Sequence, residues 1–179
     1  MRIGRPAILD GPITLAEYDP AWRELYVLEA DRIRAALGAR AVLIEHVGST
    51  SVPGLAAKLR IDIVLAVDDS SDEQSYAAAL EAAGYVLRIR EPEWHEHRVF
   101  AGPDVDVNLH VLSAGCLEID RMIGFRDRLR SDAGDRALYE RTKRDLAART
   151  WKYTQHYADA KTKIVEEILE RASVPPSRS

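Results

Sequence analysis

An α+β fold is predicted: a mixed β-sheet part over residues 1–112, flanked by helices, then a helical part over residues 113–172. Three observations predict it. Short runs rich in Val, Ile and Leu alternate with turn residues through the first part. From Leu117 onward the apolar period lengthens to that of a helix. No linker-like composition separates the parts. A chain of 179 residues with 46% hydrophobic content suits one core better than two domains, so residues 1–179 are read as a single domain.

The elements follow in order. ITLAEYDPAW alternates enough for a short edge strand, and Pro20 stands where a helix begins. Trp22, Leu25, Tyr26, Leu28, Ile33 and Leu37 recur at helical spacing, and Gly38 stops the run. AVLIEHV is nearly continuous in apolar character, which predicts a strand buried on both faces. The turn GSTSVPG follows, then a short helix at LAAK and a second strand at IDIVLAV. DDSSDEQSYAAALEAAG reads as one helix capped near Ser71 and ended by Gly84. YVLRI, HRVFA and VDVNLHVL are strands, with WHEHRVF an exposed hairpin edge. Three helices close the chain: LEIDRMIGFRDRLR, GDRALYERTKRDLAAR and YTQHYADAKTKIVEEILERA. The tail SVPPSRS, residues 173–179, is expected to fray.

Composition excludes several classes of function. The formal charge of -4 gives no global footprint for nucleic acid. The charge is uneven, however: net -9 over residues 1–120 and net +5 over residues 121–179. A basic C-terminal part suits an anionic ligand. No apolar run approaches the roughly 20 residues that span a bilayer, so no membrane partner is expected. The first residues lack the apolar core of a signal peptide. One cysteine, Cys116, precludes a disulfide within the chain and fits a reducing cytoplasm.

Several residues are candidates for chemistry. Gly48, Ser49, Thr50 and Ser51 form a small-residue turn whose backbone can approach a phosphate, with Lys58 a short way beyond. It is not a Walker A loop. Asp62 interrupts an apolar strand, where a carboxylate is costly unless paired, hydrogen-bonded or metal-bound. Asp106, Asn108 and His110 alternate with Val107 and Leu109, so strand parity puts their side chains on one face. Asp and Asn suit Mg²⁺, whereas His leans toward Zn²⁺ or Mn²⁺. Tyr139 with Lys143, Tyr157 with Lys161, and Arg126 with Arg130 are spaced four apart and share helix faces.

IEHVGSTSVPGLAAK followed by IDI, NLHV, FRDRLR, YERTKRDLA and YADAKTKI resembles the GrpB family, in the family's order and over nearly the whole chain. The resemblance implies a bacterial protein of nucleotidyltransferase-like fold; similar domains are appended to dephospho-CoA kinase in some bacteria. It implies a nucleotide or other phosphorylated ligand, held in a cleft between sheet and C-terminal helices. It also implies a Mg²⁺-dependent transfer in which two ions are bridged by two acids on one strand and a third on a later one. Carried over, Gly48 and Ser49 match the turn, Asp62 the first acid and Asp106 the third, with Asp62 and Asp106 as metal ligands. The second acid would stand at position 64, which is Val64. Leu59 and Arg60 replace the family's usual proline after the lysine. The alternative is a catalytically degenerate fold used as a ligand-binding or regulatory module.

Overall fold

The computed structural model describes residues 13–151 and 154–172. The expected fraying of residues 173–179 lies outside them. A five-stranded mixed sheet is flanked by α1 (Ala21–Leu37) and α2 (Ala77–Ala82) on one side. Helix α3 (Leu117–Ser131) lies on the other. The strands are β1 (Leu43–Val47), β2 (Ile61–Val67), β3 (Val86–Glu91), β4 (His97–Ala101) and β5 (Val107–Ser113), in spatial order β1-β2-β5-β4-β3. Only β2 and β5 run parallel; every other pair is antiparallel. Helices α4 (Ala133–Ala147), α5 (Thr154–Ala160) and α6 (Thr162–Arg171) complete the helical part.

Strand parity sorts the two faces. Ile61, Ile63, Leu65, Leu109 and Phe100 point to one side and pack with Ile33, Leu37, Tyr76 and Leu80. Val64, Ala66 and Leu112 point to the other and pack on Ile119 of α3. The face under α3 is apolar only over its far half. Its near half carries Asp62, Asn108 and His110, in register on the parallel pair. A third cluster, formed by Val52, Leu55, Leu129, Tyr139, Ile164 and Ile168, pins the loop after β1 to α3, α4 and α6.

The structure corrects several sequence expectations. β1 is an edge strand with half-buried positions rather than one buried on both faces. ITLAEYDPAW contributes a single bridge, Ala16 to Ala57, not a strand. That bridge occupies the backbone that a LAAK helix would need, and no helix forms there. The helix expected over residues 68–84 is reduced to α2 after a tight turn at Glu73–Ser75. Asp69 accepts hydrogen bonds from both the Ser71 amide and hydroxyl, a local turn that competes with helix capping. β4 lies between β3 and β5, so WHEHRVF is not an exposed edge: His97 and Arg98 are buried. The last predicted helix breaks at Lys161. At the other end of the chain, Gly38 ends α1 at φ 56°, as expected.

Phe100 has no exposed surface and sits centrally in the main core. Its replacement by Ala is expected to cost about 3–5 kcal/mol in urea unfolding. Leu28→Ala, at 65% exposure, is expected to change stability by no more than about 0.5 kcal/mol.

Candidate functional site: a basic cleft over the sheet

A cleft of about 330 Å³ opens between the polar half of the sheet face and helices α3, α4 and α5. Its floor is Asp62, Asn108 and His110. Gly48 and Ser49 form one rim. Lys58, Arg60, Lys143 and Lys161 supply four cations, and Leu15, Met122, Phe125 and Tyr157 an apolar wall. Among the described residues, Asp62 is the only carboxylate lining it.

The turn is built around a close approach. Gly48 has φ 72°, and a Cβ placed there would stand 2.5 Å from Asp62 Oδ2. Only glycine allows both the backbone conformation and that contact. The next residues, Ser49–Ser51, form a tight 3₁₀ turn rather than the start of an α-helix. The Ser51 hydroxyl donates to the Gly48 carbonyl at 2.5 Å. The Thr50 hydroxyl donates to the Arg60 carbonyl at 3.0 Å, tying the turn to the entry of β2. His46 Nε2 therefore serves as donor to Thr50 Oγ1 at 3.1 Å. Burial lowers the His46 pKa to about 4, so the ring stays neutral beside the two arginines behind it.

Asp62 accepts from Asn108 Nδ2 at 3.1 Å, and His110 Nε2 lies 3.7 Å from its Oδ1. Burial alone would raise the Asp62 carboxyl. The His110 ring, the Arg60 guanidinium and the Asn108 amide outweigh it and hold the pKa below its ordinary value. Behind His110 runs a line of partners: His110 Nδ1 to His97 Nε2 at 3.0 Å, and His97 Nδ1 to Glu91 at 2.8 Å. Burial holds the His97 pKa down to about 4.

The lysines are crowded. Lys143 is 2% exposed, donates to the Ala56 carbonyl, and lies 4.9 Å above the Tyr139 ring. Burial and the Lys161 ammonium push its pKa down to about 7. Lys58 is lowered in the same sense by burial and by Arg60. Lys161 sits 4.7 Å over the Tyr157 ring, whose buried hydroxyl has no hydrogen-bond partner among the described residues.

Of the residues singled out in the sequence, Gly48, Ser49, Lys58, Asp62, His110, Lys143, Tyr157 and Lys161 meet in this cleft. Tyr139 lies beneath Lys143, edge-on to Phe125 at 5.1 Å. Thr50, Ser51 and Arg126 instead line a second cavity behind β1. There Arg126 donates to Glu45 at 2.6 Å and to the His46 carbonyl at 3.0 Å. Asp106 precedes β5, and its carboxylate is turned to Arg60 at 3.0 Å. Among the described residues no three His, Cys, Asp or Glu side chains gather as a metal site. Sequence reasoning missed His97 as the partner of His110, because the β4–β5 register that joins them is not written in either strand. It also missed Met122 and Phe125, whose helical spacing marks them only as core.

The GrpB protein family model matches residues 12–171. A UPF0157 protein of Halalkalibacterium halodurans is 61% identical over 161 residues, covering 90% of this chain and 83% of that one. A UPF0157 protein of Streptomyces coelicolor is 48% identical over 170 residues, covering 95% and 88%. The crystal structure of conserved protein GrpB from Enterococcus faecalis superposes with a TM-score of 0.73 at 30% identity, covering 88% of this chain and 98% of that chain. None of the helices in the described residues is long and apolar enough to cross a membrane.

Gly48→Ala is expected to lower stability in urea by at least about 1–3 kcal/mol, from the left-handed backbone plus the clash with Asp62. Gly54→Ala is the control. It has φ 77° with open space around the new methyl, and it should lose clearly less.

Proposed function

The chain belongs to the GrpB family, and on that premise we propose that its cleft binds a nucleotide or another phosphorylated small molecule. The observation that carries this reading is the set of mutually repelling lysines, Lys58, Lys143 and Lys161, with Arg60 beside them, around a cleft that among the described residues has one carboxylate. Lys143, held at a lowered pKa by burial and by the Lys161 ammonium, regains its charge and is stabilised when an anion enters. Phosphate also suits the rim at Gly48 and Ser49, where backbone is accessible. The apolar wall of Leu15, Met122 and Phe125 suits a ligand with a ring beyond its phosphates.

A specific observation favours binding without turnover over nucleotidyl transfer. The two-ion reaction needs several carboxylates facing one point. Here position 64 is Val64, fully buried against α3, and Asp106 is paired with Arg60. The residues present do not fit a pair of Mg²⁺ ions. A single Mg²⁺ arriving with the phosphates would meet one cleft carboxylate, Asp62. The reading best supported is therefore a ligand-binding or regulatory module on a nucleotidyltransferase-like fold.

Calorimetry with ATP, GTP, CTP, UTP and inorganic pyrophosphate, each with and without Mg²⁺, tests the reading. At least one is expected to bind at 1:1. The affinity should fall about tenfold or more in Lys161→Gln and weaken as salt rises. No binding of any of the five at millimolar concentration would sink it. Product formation by the wild type, lost in Asp62→Ala, would overturn the binding-only part.

A further inference from the structure

The cavity behind β1 has a volume of about 330 Å³, at the low end of small-molecule sites, which run to roughly 300–1,000 Å³. It shares one turn with the cleft: Gly48 and Ser49 line the cleft, whereas Thr50 and Ser51 line this second space. Three arginines border it, Arg23 of α1 with Arg126 and Arg130 of α3. Among the described residues, Glu45 is the one carboxylate in its lining.

The three guanidinium groups differ in what already occupies them. Arg126 is committed to the fold. Its Nη1 donates to Glu45 at 2.6 Å and to the His46 carbonyl at 3.0 Å, and its Nε to Asp127 at 2.8 Å. Both nearby carboxylates are thereby answered by Arg126. Arg130 is held but not used up. Its Nε and Nη2 donate to the Ser51 carbonyl at 3.0 and 2.7 Å. Its Nη1 lies 3.7 Å from Asp127 Oδ1, too long for a hydrogen bond. A guanidinium has five N–H groups, so the outer edge formed by Nη1 and Nη2 still has donors to give. The side chain of Arg23 has no hydrogen-bond or ion-pair partner among the described residues.

We propose that this cavity is a second oxyanion site, which takes inorganic phosphate or the phosphoryl group of a small phosphomonoester between Arg130 and Arg23. The outer edge of Arg130 offers two parallel N–H donors, the geometry by which guanidinium groups grip phosphate. Its bonds to Ser51 fix the side chain beforehand, so little freedom is lost when the anion arrives. Arg23 supplies a second charge. Burial and the Arg126 charge lower the Arg130 pKa, yet an arginine keeps its proton at any working pH. Tyr18, edge-on to Trp22 at 5.6 Å, and Tyr26, stacked on His46 at 4.7 Å, give the cavity an aromatic side on which an ester group can rest. The site uses no side chain of the cleft and does not rest on the ligand proposed there.

Inorganic phosphate, titrated into the isotopically labelled full chain in EDTA and followed by NMR, tests the proposal, with sodium chloride at matched ionic strength as the control. The Arg130 Nε–H and the backbone amides of Ser51 and Val52 are expected to shift together with one affinity. That affinity should fall about tenfold or more in Arg23→Gln, at an exposed helix position, and in Arg130→Gln. Arg130→Lys keeps the charge but loses the fork, and should lie between. Lys161→Gln should leave these shifts unchanged, because Lys161 lines the cleft and not this cavity. Phenyl phosphate separates the two sources. Tighter binding than inorganic phosphate assigns the site to a phosphomonoester, weaker binding assigns it to the free ion, and either must depend on Arg23. No shift at these groups at millimolar phosphate, equal shifts with chloride, or an affinity unchanged in Arg23→Gln overturns the proposal. Shifts confined to the cleft and lost in Lys161→Gln refute this site and leave the cleft reading standing. Arginine-dependent shifts here, with no ligand bound in the cleft, refute only the cleft reading.

Discussion

Everything at the site depends on the contact between the Gly48 backbone and the Asp62 carboxylate. The contact leaves no volume for a Cβ. It brings the rim of the cleft to the floor and sets where β1 must end, since Val47 pairs with Asp62 in the sheet. The loop that follows is held from several sides. Thr50 ties it to β2 and Arg130 donates to the Ser51 carbonyl. Val52 and Leu55 are buried among the helices, and Lys143 donates to the Ala56 carbonyl. The C-terminal helices thus act as a clamp on the loop as well as a wall of the cleft.

The same clamp creates an electrostatic tension. Lys143 is drawn into a nearly dry position to hold a carbonyl, with Lys161 close enough to depress it further. A buried ammonium bonded to a carbonyl, with no ion pair to a carboxylate among the described residues and Glu140 only a partial counterweight, is costly in an isolated protein. Fold stability alone gives no reason to crowd Lys143 against Lys161 in such a cleft, because an apolar residue at position 143 would pack there without the cost. An anionic ligand resolves the tension, and the rim at Gly48 and Ser49 gives it somewhere to sit.

Much of this was legible in the sequence, and the residues show why the rest was not. All five strands follow from short apolar runs between turn residues, and the helical part from the change of period at Leu117. Parity correctly grouped Asn108 with His110 on one face. Strand order was not legible: β1 reads as apolar as β2, yet it lies at the sheet edge and is covered by α1 and α3. Local pattern also failed where tertiary pairing won, as at Ala57, drawn into a bridge with Ala16. Arg126 shows the limit for site residues. Its helix face was identifiable, but whether that face looks into the cleft or behind β1 depends on the angle at which α3 crosses the sheet. Asp106 was placed by order alone, and its guanidinium partner, Arg60, comes from immediately before the neighbouring parallel strand β2, 46 residues away in sequence.

The central claim, that the crowded lysines await an anion, is tested most directly by the proton balance of binding. With its pKa at about 7, Lys143 is mostly neutral at pH 8 in the free protein. An anion beside it favours the charged form and raises that pKa, so binding must take up a proton. Pyrophosphate titrated at pH 8 in EDTA, in two buffers of different ionisation enthalpy, measures the uptake. The account predicts an uptake of up to about one proton that disappears in Lys143→Gln. Binding heats that do not depend on the buffer, or an uptake the same in wild type and Lys143→Gln, would contradict it.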